Sequence, residues 1–171
     1  MKDYLKQILD SVANQVLARC VMREYLQAHL LQIFQDRSLF NTWVFQSGTA
    51  LRFLYGMPRF SEDLDFTLAE PGIQSNFQEH LAHAARVLGA ENYNTTIQLK
   101  DNKTVKSAFV RFRGLLFEFG LSPHEPETLS IKVEVDTNPP SGAEVASTVV
   151  RRHVTLNLRH HDKASLLAGK L

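Results

Sequence analysis

The sequence predicts an α+β fold in which helices flank a mixed β-sheet and a helical segment precedes that sheet. The opening third of the chain has no glycine before Gly48 and no proline before Pro58, and its apolar residues recur with a helical period. Strand-like and helix-like patterns alternate in the middle, and several strand-like segments follow in the second half. This order is typical of a mixed sheet covered by helices. With 171 residues, 44% of them hydrophobic, the chain is predicted to form a single domain, residues 1–171.

The N-terminal elements follow from periodicity and from turn-forming residues. A helical stripe runs toward Asp36, with an interruption near residues 14–19, and it begins with Leu5, Ile8, Leu9, Val12 and Val16. Residues 42–46 are mostly β-branched or aromatic and predict a short strand that leads into the turn Ser47-Gly48. Residues 49–55 predict a short helix that ends at Gly56.

The remaining elements lie between turn signals. A strand is predicted around residues 63–68, followed by a helix over residues 73–88 that Gly89 closes. An antiparallel meander is predicted next, with strands over residues 95–100, 105–113, 115–119, 129–136 and 149–158. Asp162 caps a final helix whose apolar pattern continues to Leu171. We therefore expect the domain to be the N-terminal part of a longer protein.

Composition narrows the class of protein. The net charge of +1 provides no general basic field, so nucleic-acid binding would need a local patch. The C-terminal region is locally basic and serves either an RNA acceptor or a solvated surface; its residues are Arg151, Arg152, Arg159, Lys163 and Lys170. No stretch approaches the roughly 20 apolar residues of a membrane span, and the single cysteine agrees with a reducing compartment. We expect a cytoplasmic protein without membrane contact.

Two acidic residues predict a metal site. Successive side chains of a strand point to opposite faces, so Asp63 and Asp65 share one face while Leu64 and Phe66 enter the core. Carboxylates held this close repel each other unless a cation lies between them. Hard oxygen ligands favour Mg²⁺ or Mn²⁺.

A second acidic strand and a phosphate-binding turn complete the predicted site. Alternation over residues 131–136 places Lys132, Glu134 and Asp136 on one face, and either acid could be a third metal ligand and accept a proton. At the turn, backbone N–H groups near Gly48 and the hydroxyl of Ser47 or Thr49 would face phosphates.

Two further residues are weaker candidates. Arg59 could reach a triphosphate or an acceptor, or be solvated. Ser61 either orients the turn ahead of Asp63 or contacts the ligand directly.

The motif made by residues 45–52 and 59–66 resembles the core of the AbiEii/AbiGii-type toxin nucleotidyltransferases, members of the DNA polymerase beta-like superfamily. Those proteins usually carry Gly-Gly-Thr-Ala-Leu followed by Arg-Phe-Ser-Glu-Asp-Leu-Asp-Phe, and this chain has Ser47 in place of the first glycine. The strand with Glu134 is similar to the family's third-carboxylate strand. Residues 166–171 resemble the start of a further motif, whose lysine corresponds to Lys170 and is implied to contact the triphosphate.

The resemblance implies a Mg²⁺-dependent nucleotidyltransferase fold and activity. The substrate would be an NTP and the acceptor RNA, in particular tRNA, or protein. The biological role would be that of a toxin in a bacterial toxin–antitoxin or abortive-infection system, with a cognate antitoxin as partner.

Two other readings remain open at the level of sequence. A D-x-D motif also holds Mn²⁺ on nucleotide sugars in glycosyltransferases, although the Ser-Gly turn ahead of the acids disfavours that class. Alternatively, the same fold is retained as a non-catalytic module that binds a partner.

Overall fold

The computed structural model describes residues 2–101 and 104–169 and has an α+β architecture, as predicted. The helices are Lys2–Asp10 (α1), Gln15–Asp36 (α2), Ser47–Tyr55 (α3), Phe77–Ala90 (α4), Leu115–Glu118 (α5) and Lys163–Ala168 (α6). The strands are Trp43–Gln46 (β1), Leu64–Leu68 (β2), Thr95–Asp101 (β3), Val105–Arg113 (β4), Thr128–Asp136 (β5), Val145–Arg152 (β6) and Val154–His161 (β7).

The strands form one mixed seven-stranded sheet with the order β3-β4-β5-β2-β1-β7-β6. The pairs β2–β5 and β1–β7 are parallel, and the other neighbouring pairs are antiparallel. Strand β2 therefore lies at the centre of the sheet, between β1 and β5. The motif that carries Asp63 and Asp65 is thus placed where strands from both halves of the chain meet.

One face of the sheet packs against the helices and forms the hydrophobic core, as the burial pattern of strand β5 illustrates. Its burial alternates, with Leu129, Ile131, Val133 and Val135 buried against the helices and the polar residues between them on the opposite face. Helix α2 supplies much of the covering layer; Asn14 caps it by accepting a hydrogen bond from Val16 N at 2.8 Å. The predicted interruption near Asn14 is confirmed as the boundary between α1 and α2.

Three of the predicted elements differ in the structure. Residues 115–119 form helix α5 rather than a strand, because Gly114 adopts φ 69° and turns the adjacent Leu115 and Leu116 into the core within one helical turn. The single strand predicted over residues 149–158 is a hairpin of β6 and β7, reversed at His153 with φ 63°. Helix α4 begins only at Phe77, after a left-handed residue at its N-terminus.

The predicted meander is correct only for β3, β4 and β5. The β6–β7 hairpin instead crosses to the opposite edge of the sheet and pairs beside β1. Across residues 2–101 and 104–169, every helix is too short or too polar to cross a membrane.

Candidate active site

The central strands bring the predicted acids to one place. In the sheet register, Asp65 lies between Gln46 of β1 and Glu134 of β5. Together with Ser47 and Asp63, these residues line a cavity of about 320 Å³, whose wall also includes Phe66, Val105 and Asp136. The two acidic strands and the turn after β1 therefore share one pocket.

Two of the carboxyl groups in this cavity, those of Asp63 and Asp65, have pKa values above their usual range. Burial, together with the charges of Asp63 and Glu134, raises the pKa of Asp65 to about 6. Burial also raises the pKa of Asp63, with Lys132 opposing and Glu134 adding to the shift. These shifts reflect negative charge that is concentrated in the cavity, and a bound cation would offset that charge.

Lys132 supplies part of that positive charge. It lies two residues before Glu134 on the same face of β5, and its Nζ atom is 2.5 Å from Glu134 Oε1. The hydrogen bond with Glu134 raises the pKa of Lys132, which stays protonated at neutral pH. The alternation of β5 identified Lys132 as a neighbour of the acids, but assigned it no function.

The donor chemistry of the cavity fits a hard divalent cation, since carboxylate oxygens are the ligands that Mg²⁺ and Mn²⁺ prefer. In the described part of the chain, however, no three acidic, histidine or cysteine side chains are close enough to form a ready-made metal site. Glu134 is instead ion-paired with Lys132. The three carboxylates would therefore have to move closer together to hold one cation.

Asp136 lies farther from the pair formed by Asp65 and Glu134. Its register partner on β2 is Thr67, and its Oδ1 accepts a hydrogen bond from Asn138 N at 2.9 Å. One carboxylate oxygen of Asp136 is thus committed to the turn that follows β5. The register favours Glu134 over Asp136 as the neighbour of Asp65.

The turn after β1 is strained at the residue where the family motif has glycine. Ser47 adopts φ 67°, in the left-handed region that glycine enters without steric cost. Its hydroxyl hydrogen-bonds to Asp65, which links the turn to the acids. Gly48 follows in the first turn of α3, and the side chain of Gln46 does not cap this helix.

Thr49 and Ser61 hold the segment ahead of Asp63 in place. Thr49 is 1% exposed, and its hydroxyl donates a hydrogen bond to the backbone carbonyl of Asp63. The carbonyl of Ser61 accepts a hydrogen bond from Gln27 Nε2 at 3.0 Å. In the described structure, both residues thus contact the protein around Asp63, whereas Arg59 is exposed in the loop and does not line the cavity.

A buried cluster of charged side chains, on the side of helix α2, holds the segment ahead of Asp63 in place. Arg52 is ion-paired with Glu24 of α2, and its Nη1 donates to the carbonyl of Met57 at 2.7 Å. Its guanidinium lies 3.7 Å from the ring centroid of Phe60. Arg152 reaches Glu24 from β6, at 3.3 Å. Arg52 therefore anchors the loop between α3 and β2, a role that its sequence context did not reveal.

A second cavity of about 230 Å³ adjoins the first. Gln46 and Ser47 line both, and the second is closed by His161, Ser165, Leu166 and Gly169. Burial lowers the pKa of His161, so its imidazole is neutral at pH 7. His161 reaches this cavity because β7 pairs in parallel with β1, and no local sequence pattern indicates that pairing. Lys170 lies outside the described residues.

A comparison with one solved structure shows the same fold. The crystal structure of protein JHP933 from Helicobacter pylori matches with a TM-score of 0.56 and 23% identity, over 88% of this chain and 55% of that one. A second H. pylori protein, a provisionally assigned nucleotidyltransferase, matches with a TM-score of 0.47 and 22% identity, over 85% of this chain and 55% of that one. The chain thus spans about half the length of either protein. No curated protein matches it.

A family profile covers most of the sequence. The profile described as "Nucleotidyl transferase AbiEii toxin, Type IV TA system" matches residues 29–171, which include both acidic strands and the turn after β1. The chain therefore belongs to the AbiEii family of nucleotidyl transferase toxins of type IV toxin–antitoxin systems.

Proposed function

We propose that this domain transfers a nucleotide from an NTP to an RNA acceptor, such as tRNA, in a reaction that depends on Mg²⁺ or Mn²⁺. The observation that carries the proposal is the cross-strand pair of Asp65 and Glu134, which shares one cavity with the Ser47 turn. Nucleotidyl transfer requires acids that bind a cation and, beside them, a turn that binds phosphates.

In this proposal, Asp63, Asp65 and Glu134 hold the cation. A bound Mg²⁺ would offset the negative charge that develops on the phosphates during transfer. Asp136 keeps a supporting role, because its carboxylate is already hydrogen-bonded to the backbone of Asn138. Thr49 and Ser61 act on the nucleotide site indirectly, through the segment that presents Asp63.

The triphosphate would lie across Ser47 and Gly48, from the acidic cavity into the second cavity. The uncapped N-terminus of α3 directs backbone N–H groups toward negative charge. His161 and Ser165 line the far end, and we assign Lys170 and Arg59 to the outer phosphates on the basis of the family motif and charge respectively.

The reaction is a displacement at the α-phosphorus. The 3′-hydroxyl oxygen of the acceptor forms the new P–O bond, and the bond between the α-phosphorus and the bridging oxygen breaks to release pyrophosphate. Glu134 lies beside Asp65 and is positioned to accept the hydroxyl proton. We place this reaction in the cytoplasm because its substrates, NTPs and RNA, are found there. An antitoxin of the same system is the expected regulatory partner.

Incubation with each α-labelled NTP, Mg²⁺ and total RNA tests the proposal. We expect label in RNA with the wild-type chain, and a loss of about a hundredfold or more with Asp65→Asn or Asp63→Asn. Equal labelling by wild type and both variants would refute the assigned acids. Transfer from UDP-sugars would favour a glycosyltransferase, and the absence of any metal-dependent transfer would favour a partner-binding module.

A further inference from the structure

In the described part of the chain, the face of the sheet that carries Glu134 continues beyond the active site as an uncovered surface on β3, β4 and β5. We call it the open face; outside the acidic cavity it consists of Thr96, Gln98, Lys100, Phe109, Arg111, Arg113, Thr128, Ser130 and Lys132, with the buried Ser107 between Lys100 and Glu134. The register places Ser107 beside Glu134 and Phe109 beside Lys132. The surface is therefore contiguous with the acids.

Charge is distributed unevenly on the open face. Lys100, Arg111 and Arg113 are exposed, and Lys132 is partly exposed. The acids of the same sheet face are confined to the end that holds Asp65 and Glu134. A polyanion would thus be attracted to the surface and guided with one end at the acidic cavity.

Phe109 provides an aromatic platform within this basic surface. It is partly exposed, and Lys100 Nζ lies 5.0 Å from its ring centroid. Lys132 is its direct neighbour on β5. An aromatic ring surrounded by cations on an open sheet is a typical way to stack a base and hold the flanking phosphates of single-stranded RNA.

The C-terminal basic residues fit this role less well. Arg152 is ion-paired with Glu24, and Arg159 Nη1 donates to the carbonyl of Asn41 at 2.8 Å. Lys163 Nζ lies 5.2 Å from the ring centroid of Tyr55. Arg152 and Arg159 are thus engaged within the protein, whereas Arg111 and Arg113 are exposed on the open face.

We infer that the open face binds the single-stranded 3′ end of the acceptor RNA, with a base stacked on Phe109 and phosphates on Lys100, Arg111 and Arg113. This inference rests on the proposed function and names the surface that function uses. Along β4, Arg111 is four residues from Ser107, which corresponds to about 13 Å. The surface thus accommodates a short segment next to the reacting hydroxyl.

RNA binding by the same chain, measured by fluorescence anisotropy without NTP, tests the inference. The probe is a labelled single-stranded RNA of about ten nucleotides. Phe109→Ala and Arg111→Glu are each expected to weaken binding about tenfold, and Arg111→Glu to reduce the salt dependence. The matched control is Arg86→Glu, since Arg86 is also exposed but lies on α4, which packs on the opposite face of the sheet. It should bind within about twofold of wild type, whereas non-specific attraction to charge would weaken its binding as much as that of Arg111→Glu.

Three results of these binding measurements would overturn the inference. Wild-type levels of RNA binding by both variants, an equal loss with Arg86→Glu, or no RNA binding by wild type would overturn it. Binding of polyglutamate that is lost in Arg111→Glu, without binding of RNA, would instead identify the surface as a site for an acidic protein. Asp65→Asn separates the two proposals, because it should retain RNA binding; normal RNA binding without transfer by wild type would refute the proposed function alone.

Discussion

The ammonium group of Lys132 lies 2.5 Å from Oε1 of Glu134, inside a group of acids that has the chemistry of a metal site. In the described structure, the protein itself thus neutralises part of the acidic cavity. Among the described residues, Glu134 does not form a three-carboxylate group with Asp63 and Asp65. A cation and Lys132 therefore compete for Glu134, which has a measurable consequence.

Lys132→Met should increase the affinity for Mn²⁺. Removal of the ammonium leaves Glu134 without its partner and removes the repulsion between the lysine and an incoming cation, so we expect a gain of about tenfold. Isothermal titration with Mn²⁺ measures this without any turnover. Lys6→Met, on the outer surface of α1, is the control. An unchanged or weaker Mn²⁺ affinity in Lys132→Met would show that the lysine does not compete.

Glu134→Gln and Asp136→Asn should separate the two candidates for the third carboxylate. Glu134 is the register partner of Asp65, whereas Asp136 is the partner of Thr67. We expect single-turnover transfer to fall by about a hundredfold or more in Glu134→Gln and by less than about fivefold in Asp136→Asn. The reverse order of effects would assign the third position to Asp136.

Ser47→Gly should stabilise the protein and weaken nucleotide binding. Glycine relieves the positive φ of Ser47, a gain of about 1 kcal/mol, but removes the hydroxyl that hydrogen-bonds to Asp65. Urea unfolding and NTP titration measure the two effects. Ser38→Gly is a matched control, because Ser38 is also left-handed, with φ 56°, and does not line either cavity. A stability gain in both variants, with NTP binding reduced only in Ser47→Gly, is the expected pattern; reduced binding in both would contradict it.

Glu24→Gln should destabilise the fold by about 3 kcal/mol, because it leaves Arg52 and Arg152 partly unpaired in a buried cluster. Burial alone would raise the pKa of Glu24, but contacts with His153, Arg52 and Arg152 outweigh it and lower the pKa to about 2. The stabilising contribution of its charge is therefore complete above pH 4.5 and is lost as the pH falls toward 2.

Urea unfolding at pH 7 and at pH 3 tests this prediction. The difference between wild type and Glu24→Gln should shrink at the lower pH. Glu79→Gln is the control, since Glu79 makes an exposed ion pair with Arg37 and its loss should cost less than about 1 kcal/mol. Equal costs for the two variants would show that the buried cluster contributes no more than a surface pair.

Local sequence predicted the class of fold and most of the individual elements. Periodicity located α2, and strand alternation placed Lys132 with Glu134. Asp63 lies one residue before β2 rather than within it, and it lines the same cavity as Asp65. The misassigned elements have local causes that only the backbone reveals. Residues 115–119 are apolar enough for a strand, but the left-handed Gly114 turns them into α5. A similar left-handed residue, His153, divides one predicted strand into two.

What the sequence by itself determined is which side chains share a face, because that depends only on the two-residue repeat of a strand. Which strands are neighbours was decided by the tertiary structure. The pairing of Asp65 with Glu134, the position of His161 beside Ser47, and the burial of Arg52 against Glu24 all join residues distant in the chain. Such pairings depend on how the apolar faces pack into one core, and no local pattern records that packing.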